Sequence, residues 1–453
     1  MPLIEALLAQ LRFLLNRAVV ASAIIWLLAP NALAIEPVQR VISPGGIEAL
    51  LIESHAVGLI SLRFSFRGGA IQDPDDKPGV AYFTGYMFNE GAAELTSREL
   101  MVRLARIGAS FSGNAGPESL DINFTAPSGQ REEAISLLKM ALVSPRFDTE
   151  PMERARRTAL ASFAQEQVNP GSIAMRRLMA LLYGTNRYSL PVTGTADAVA
   201  QISVNDVRAY RARTFARDTL RVAVAGDIDA AMLGPLLDDL FASLPAKADL
   251  RPAPFMKSAV VQHEAIAMDL PQTKVMFGNL APLLDGREEL AASLFNQILS
   301  GQFTGRLFNA VREREGLVYS IATGRGRFSQ SVVFYGSFGA SPLNASRAMA
   351  MTMREIDRLI IDGPTEQELQ DAKAAFRGGY YLDLDTTPSL SAMLLTMLER
   401  NLPDTYLSDL DGQIAGITMQ DVRAVARRLV RLDKLASVRI GKPAVSQYMP
   451  ETP

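Results

Sequence analysis

Apolar and polar residues alternate strictly in two stretches of the first half of the chain. The apolar positions are Leu62, Phe64 and Phe66 in one stretch and Leu120, Ile122 and Phe124 in the other. Successive side chains of a strand point to opposite faces of a sheet, so this period of two predicts two half-buried antiparallel strands.

Helical signals lie between these strands. Thr96 is followed three residues later by Glu99, which is the pattern of a helix N-terminal capping box, and Gly108 is placed to end that helix. Strands that alternate with helices in this way predict an α+β fold, in which an antiparallel-rich sheet packs against a layer of helices.

The chain also repeats itself. Residues 202–209 (Ile-Ser-Val-Asn-Asp-Val-Arg-Ala) match residues 417–424 (Ile-Thr-Met-Gln-Asp-Val-Arg-Ala) at an offset of 215, and Gly226 and Gly441 keep the same offset. Upstream, Thr149-Glu150 and Thr365-Glu366 correspond at 216. A shared register through a helix and the following strand indicates an internal duplication, and therefore two homologous lobes.

Length and composition agree with two lobes. The chain has 453 residues, of which 48% are hydrophobic and 21% charged, enough for two cores of about 200 residues each. The formal net charge is −2, and no basic run interleaved with aromatic residues is present. This balance argues against nucleic-acid binding.

The N-terminus resembles an export signal. Arg12 and Arg17 precede an apolar run from Ala18 to Ala29, and an Ala-x-Ala-like cleavage site follows at Ala32–Ala34. The run is short for a membrane span, which favours secretion, although an uncleaved anchor is an alternative. A chain without cysteine fits a bacterial periplasm. We therefore predict a signal peptide at 1–34, an N-terminal lobe at 35–243, a proline-rich linker at 244–254 and a C-terminal lobe at 255–453.

The chemistry centres on residues 79–91. A zinc-hydrolase helix needs two histidines at i and i+4, about 5–6 Å apart on one face, and a carboxylate that takes a proton from metal-bound water. Here those three roles fall to Tyr82, Tyr86 and Gly85. The frame Gly-x-Ala-His-x-x-Glu-His-Met, with these replacements, resembles the pitrilysin/insulinase family of zinc metallopeptidases, which includes the mitochondrial processing peptidases.

The resemblance implies a third ligand, a glutamate about 75 residues later at a fixed distance before an Asn-Pro pair. In this chain that position is Ser162, before Asn169-Pro170. The chain has only two histidines, His55 and His263, which we interpret as surface imidazoles near strand ends. We therefore predict that this chain binds no metal cofactor.

A second family motif is retained in the C-terminal half. Residues 304–320 resemble the segment in which an arginine and a tyrosine seven residues apart project into a chamber between the lobes, and the matching residues are Arg312 and Tyr319. The resemblance implies that this pair binds the scissile peptide and its oxyanion. From periodicity alone, Arg312 is equally an ordinary helix-end cation and Tyr319 a surface strand residue. Likewise, Tyr82 and Tyr86 are alternatively packing residues that fill the former metal pocket.

The family contains heterodimers in which one subunit supplies zinc and the other supplies the arginine and tyrosine. The sequence therefore predicts a non-catalytic, substrate-binding subunit of a periplasmic zinc peptidase. Its partner would be a homologous subunit with an intact His-x-x-Glu-His motif, zinc and general base, and the pair would act on peptides. The alternatives are a stand-alone peptide-binding or scaffold protein without catalysis, and an unrecognised independent hydrolase.

Overall fold

The computed structural model describes residues 36–253 and 262–442. The predicted signal peptide, linker residue 254 and the last eleven residues lie outside the described residues. Within them, the chain from Val38 onwards forms one compact unit. Residues 242–253 contain no helix or strand, in the region where the linker was predicted. The boundaries of the lobes stay predictions.

The first half builds a six-stranded sheet with the order β1-β2-β8-β3-β7-β6. Its strands, with a separate two-residue pair β4 and β5, are β1 Gln39–Ile42, β2 Glu48–Glu53, β3 Leu59–Arg67, β4 Gly91–Ala92, β5 Leu95–Thr96, β6 Ser110–Ala115, β7 Ser119–Pro127 and β8 Leu220–Gly226. Its helices are α1 Val80–Tyr86, α2 Ser97–Ile107, α3 Arg131–Val143, α4 Thr149–Val168, α5 Pro170–Tyr183, α6 Ala196–Gln201, α7 Val204–Thr214 and α8 Ala230–Phe241.

The second half builds a five-stranded sheet with the order β11-β12-β10-β13-β9. The strands are β9 His263–Ala267, β10 Thr273–Ala281, β11 Val318–Arg327, β12 Val332–Ala340 and β13 Ala436–Gly441. The helices are α9 Arg287–Ser300, α10 Ala345–Asp362, α11 Glu366–Leu382, α12 Thr387–Glu399, α13 Tyr406–Ala415 and α14 Met419–Leu429, with a π-helix at Phe308–Arg314. The predicted α+β class with two antiparallel-rich lobes is confirmed.

The structure repeats where the sequence does. Helices α7 and α14 each begin with a capping box, formed by Ser203 with Asp206 and by Thr418 with Asp421. Each helix is followed by a short 3-10 turn and then by a strand, β8 or β13. The capping box predicted at Thr96 is also present, and Gly108 ends α2 in the left-handed conformation at φ 68°.

Each half of the chain contributes one helix that packs on the sheet of the other half. Helix α5 of the first half packs on β10 and β13 of the second sheet, where Leu178 and Leu182 join Met276 and Val438 in one apolar cluster. Helix α12 of the second half packs in turn on β2, β3 and β8 of the first sheet. Each sheet is therefore covered on one face by its own half and on the other by a helix from the opposite half.

This packing arrangement corrects one sequence expectation. Strands β3 and β7 pair antiparallel as predicted, with Phe64 opposite Ile122. The polar face of β3 was expected to face solvent, yet Ser61 and Ser65 are both buried. Helix α12 covers them: the Ser61 hydroxyl lies 2.7 Å from that of Ser391, and the Ser65 hydroxyl donates to Glu399 at 3.2 Å.

Candidate functional site

Helix α1, which carries the degenerate zinc motif, is fixed at its start by a buried carboxylate. Gly79 precedes the helix with a φ of 112°, a conformation that favours glycine. The backbone N–H groups of Gly79 and Ala81 both donate to the Asp73 carboxylate, each at 2.7 Å. Burial raises the pKa of Asp73 to about 7, although these two hydrogen bonds lower it. Asp73 thus caps a helix of only seven residues.

Tyr82 and Tyr86 lie one helical turn apart on α1. Their ring centroids are 6.5 Å apart, and both side chains are partly buried against the apolar core of the first half. Burial raises the pKa of Tyr82, and the neighbouring Tyr86 raises it further. A phenol in this environment stays neutral, and neutral phenols are poor zinc ligands. The two positions that match the histidine ligands therefore hold packed aromatic rings.

Gly85, at the position of the general base, packs against strand β6. A Cβ atom placed on Gly85 would lie 3.1 Å from the backbone nitrogen of Ala115 and 3.3 Å from the backbone of Asn114. From the other side, a Cβ atom on Gly113 would lie 2.5 Å from the Gly85 carbonyl oxygen. Helix and strand thus approach each other through two glycines. This position lacks a proton-transfer group and is also closed by the neighbouring backbone.

Ser162, at the position of the third ligand, is exposed on α4. Within residues 36–253 and 262–442, no hydrogen bond or ring contact joins it to Tyr82 or Tyr86, and no group of three or more His, Cys, Asp or Glu residues could hold a metal ion. His55 follows β2 and contacts Asp227 and Glu53, while His263 opens β9 and contacts Ser437. Both histidines are exposed near strand ends, as predicted.

Sequence reasoning missed Arg154, which lies beside the degenerate motif. Its guanidinium pairs with Glu90 at 2.5 Å and with Glu150 at 2.6 Å. Burial lowers the pKa of Arg154, but its hydrogen bonds to Glu150 and to Tyr86 outweigh this and raise it. A fixed cation thus stands next to one of the former ligand positions. The spacing of Glu150 and Arg154 at i and i+4 on a helix was the available signal.

Arg312, in the second motif, lies in the π-helix Phe308–Arg314. Such helices are rare and concentrate at functional sites. The guanidinium is exposed and sits 4.9 Å from the centre of the Phe308 ring. Within residues 36–253 and 262–442 it forms an ion pair with the adjacent Glu313 alone, at 3.9 Å and largely in solvent. The described residues provide no hydrogen-bond acceptor for the Arg312 side chain, so its N–H groups are exposed to solvent.

Tyr319 lies at a β-bulge in the edge strand β11. Val318 pairs with Ala340 and Ser320 with Gly339, so Tyr319 is the extra residue between them. A bulge re-aims a side chain, and bulges are over-represented beside active sites. The Tyr319 side chain is 59% exposed, and its hydroxyl has no partner among the residues that the structure describes. Two backbone irregularities therefore present both residues of the motif to solvent.

An ion pair holds the segment before the π-helix in place. The Arg306 guanidinium binds the Glu368 carboxylate through two contacts of 2.7 Å each, and it donates to the Gly363 carbonyl at 3.1 Å. Glu368 also completes the capping box that begins α11 with Thr365. This forked geometry fixes orientation as well as distance. It ties the start of the Arg312 segment to a regular helix.

The structure brings Tyr82, Gly85 and Tyr86 together on α1, whereas Arg312 and Tyr319 lie in the other half. Among the described residues, no hydrogen bond, ion pair or ring contact links the two groups. The sequence-predicted site residues thus form two separate groups, one on α1 and one at the π-helix and β11.

Sequence comparisons address the same two regions. The profile described as "Insulinase (Peptidase family M16)" matches residues 50–196, and the profile "Peptidase M16 inactive domain" matches residues 201–376. The first range contains the emptied motif, and the second contains Arg312 and Tyr319.

Individual proteins resemble this chain over most of its length. The "Non-peptidase homolog YmxG" of Helicobacter pylori is 24% identical over 383 residues, which is 84% of this chain and 88% of that protein. A crystal structure of a "peptidase M16 inactive domain" from Pseudomonas fluorescens superposes with a TM-score of 0.85 at 27% identity, covering 90% of this chain and 99% of that one. The periplasmic protease PqqL of Escherichia coli shares the fold, with a TM-score of 0.78 at 12% identity over 90% of this chain and 46% of its own.

Proposed function

This chain belongs to the insulinase-type peptidases of family M16, and we propose that it is the non-catalytic, substrate-binding subunit of a heterodimeric zinc peptidase in the periplasm. The partner subunit supplies zinc and the general base from an intact His-x-x-Glu-His helix. This chain supplies Arg312 and Tyr319, which bind the scissile peptide and stabilise the oxyanion that forms on its carbonyl.

The residues of the two motifs support a composite active site, to which two subunits contribute different groups. The zinc-side positions hold Tyr82, Gly85, Tyr86 and Ser162, none of which supplies an imidazole or carboxylate ligand. Without metal or general base, the chain cannot activate water for peptide hydrolysis. Hydrolysis therefore requires a second subunit, and the M16 frame of this chain suggests a homologous one.

The proposal rests mainly on one observation. The side chains of Arg312 and Tyr319 are exposed, and neither has a hydrogen-bond partner among the described residues. A guanidinium and a phenol are donors that stabilise negative charge on a carbonyl oxygen. Buried donors normally have partners inside their own chain, whereas exposed donors are left to water or to a ligand. Here the π-helix and the bulge place both at the surface without hydrogen-bond partners among the described residues, which suits contact with a substrate held at an interface.

The N-terminal segment and one structural neighbour bear on the periplasmic location. The export-type segment at 1–34 lies outside the described residues, so it supports the proposal from sequence alone. No helix within the described ranges is long and apolar enough to cross a membrane. PqqL, which is named a periplasmic protease, shares the fold.

Reconstitution with an M16 subunit that carries the intact motif tests the proposal. Arg312→Ala and Tyr319→Phe should each lower the kcat of the pair by about 10²–10³-fold, the usual cost of removing one oxyanion donor, without loss of assembly. Arg314→Ala, in the same π-helix, and Tyr381→Phe, on another exposed tyrosine, are the matched controls and should keep the wild-type kcat.

The outcomes separate the subunit from its alternatives. If both motif variants assemble and cleave peptide at the wild-type rate, the assignment of Arg312 and Tyr319 is wrong, and a scaffold or peptide-binding role becomes the better account. If the variants lose assembly or stability instead, the two residues act in packing. Chelator-resistant cleavage by this chain alone would favour an independent hydrolase.

A further inference from the structure

A cavity of about 550 Å³ lies between the two halves, apart from both motifs. Its volume is within the range of small-molecule sites. The apolar part of its wall comes from both halves and comprises Ile71, Met175, Met179, Leu190, Met276 and Phe328. Methionine side chains adapt to ligands of varied shape. The residues of the two motifs do not contribute to the wall.

Lys274 supplies an unbalanced positive charge to this wall. It lies on β10 and donates to the Ser337 hydroxyl at 3.2 Å. Within the part of the chain that the structure describes, its ammonium pairs with no carboxylate, and burial lowers its pKa. Removing an unpaired ammonium from water is costly, and a bound anion would offset that cost.

Arg187 also lines the cavity but adds neither net charge nor an accessible donor. Its Nη2 atom pairs with Asp75 at 2.5 Å, which balances its charge, but its Nη1 atom is buried and has no hydrogen-bond partner. The remaining charged pair in the wall, Arg176 with Glu166, is neutral as a unit. The cavity thus offers one uncompensated positive charge, from Lys274, in a half-open and largely apolar cleft.

We propose that this cavity binds an aliphatic monocarboxylate, with its carboxylate at Lys274 and its apolar chain among Met175, Met179 and Met276. One uncompensated cation matches a single negative charge, which disfavours phosphates and dicarboxylates. The same chemistry occurs in a free fatty acid and in the C-terminal residue of a peptide that ends in leucine. The proposal is independent of the peptidase-subunit role, because the cavity shares no residue with either motif.

Isothermal titration calorimetry with the purified protein tests both sources. Decanoate is compared with 1-decanol, and N-acetyl-leucyl-leucine with its C-terminal amide. In at least one pair the acid should bind about 10- to 100-fold more tightly than its neutral analogue, as expected for a hydrogen bond to a charged group. The pair that shows the larger ratio identifies the source.

Substitution of Lys274 tests where the carboxylate of the ligand binds. Lys274→Met should weaken binding of the acid to the level of the neutral analogue. Lys434→Met, an identical substitution at an exposed lysine outside the cavity, should leave binding unchanged. Circular dichroism establishes that both variants are folded.

Methionine-methyl NMR of the wild-type protein tests the location without any variant. The methyl signals of Met175, Met179 and Met276 should show the largest shifts among the methionines on addition of the acid. The proposal is overturned if neither acid binds below about 1 mM, the weak limit of specific recognition. It is equally overturned if the neutral analogues bind as tightly, if Lys274→Met binds like wild type, or if other methionines shift instead.

Discussion

The close approach of α1 to β6 makes a sharp prediction about Gly113. In Gly113→Ala, the new Cβ atom would lie 2.5 Å from the Gly85 carbonyl oxygen and 2.9 Å from the Phe88 Cβ atom. Ordinary contacts begin at about 3.4 Å, so helix and strand must separate by most of an ångström. Overpacking of this kind costs about 1–3 kcal/mol. The entropy of unfolding is about 2.1 cal/mol/K per residue, so a chain of this size loses about 1 °C per kcal/mol and the Tm should fall by roughly 1–3 °C.

Two glycines in the second half serve as matched controls. Gly326, in strand β11, would bring its Cβ no closer than 3.4 Å to another atom, so Gly326→Ala should change the Tm little. Gly378, inside helix α11, has nothing within 4 Å, so Gly378→Ala should raise the free energy of unfolding by about 0.4–1 kcal/mol. Differential scanning fluorimetry of the three variants measures the order. Equal Tm values for Gly113→Ala and Gly326→Ala would refute the closed helix–strand contact.

Three further predictions concern metal, catalysis and pH. Metal analysis of chelator-treated protein should find well below one equivalent of zinc, and stoichiometric zinc lost on replacing His55 or His263 would contradict this. The purified chain alone should not cleave peptides, whereas its mixture with a partner that carries the intact motif should do so and co-elute from a sizing column. The hydrogen bonds from Arg306 hold the pKa of Glu368 below its usual value, although burial opposes them. A carboxyl whose pKa is lowered by folding contributes stability above its unfolded pKa of about 4.3, and this is lost as pH falls through the folded value. The Tm deficit of Glu368→Gln should therefore be constant above about pH 5 and shrink below about pH 4, and a deficit that grows in acid would refute the sign.

Local signals in the sequence predicted much of the fold. The alternation in β3 and β7, the capping box at Thr96 and the repeat at an offset of 215 all correspond to observed elements, because each depends on residues close together in the chain. The positions of the degenerate zinc motif were also readable, since an i, i+4 spacing on one helix is a local property.

What the sequence could not predict depends on contacts between distant segments. The apolar residues of α5 and α12 do not specify which sheet they cover, so the burial of Ser61 and Ser65 was missed. The π-helix around Arg312 and the bulge at Tyr319 have no simple residue pattern, although they determine how both side chains are presented. Arg154 was missed because its partner Glu90 lies 64 residues away.

The helices that cover the sheet of the opposite half also set an order of events during synthesis. The first sheet is complete once β8 ends at Gly226, but α12, which covers it, ends only at Glu399. During synthesis, and during any passage across a membrane from the N-terminus onwards, the 173 residues between these two points must follow before the cover can form. During that interval Leu50 and Ile52, on the strand β2 that α12 covers, lack this cover. We therefore expect a first half truncated before α12 to expose this apolar face and to aggregate rather than fold as an independent lobe.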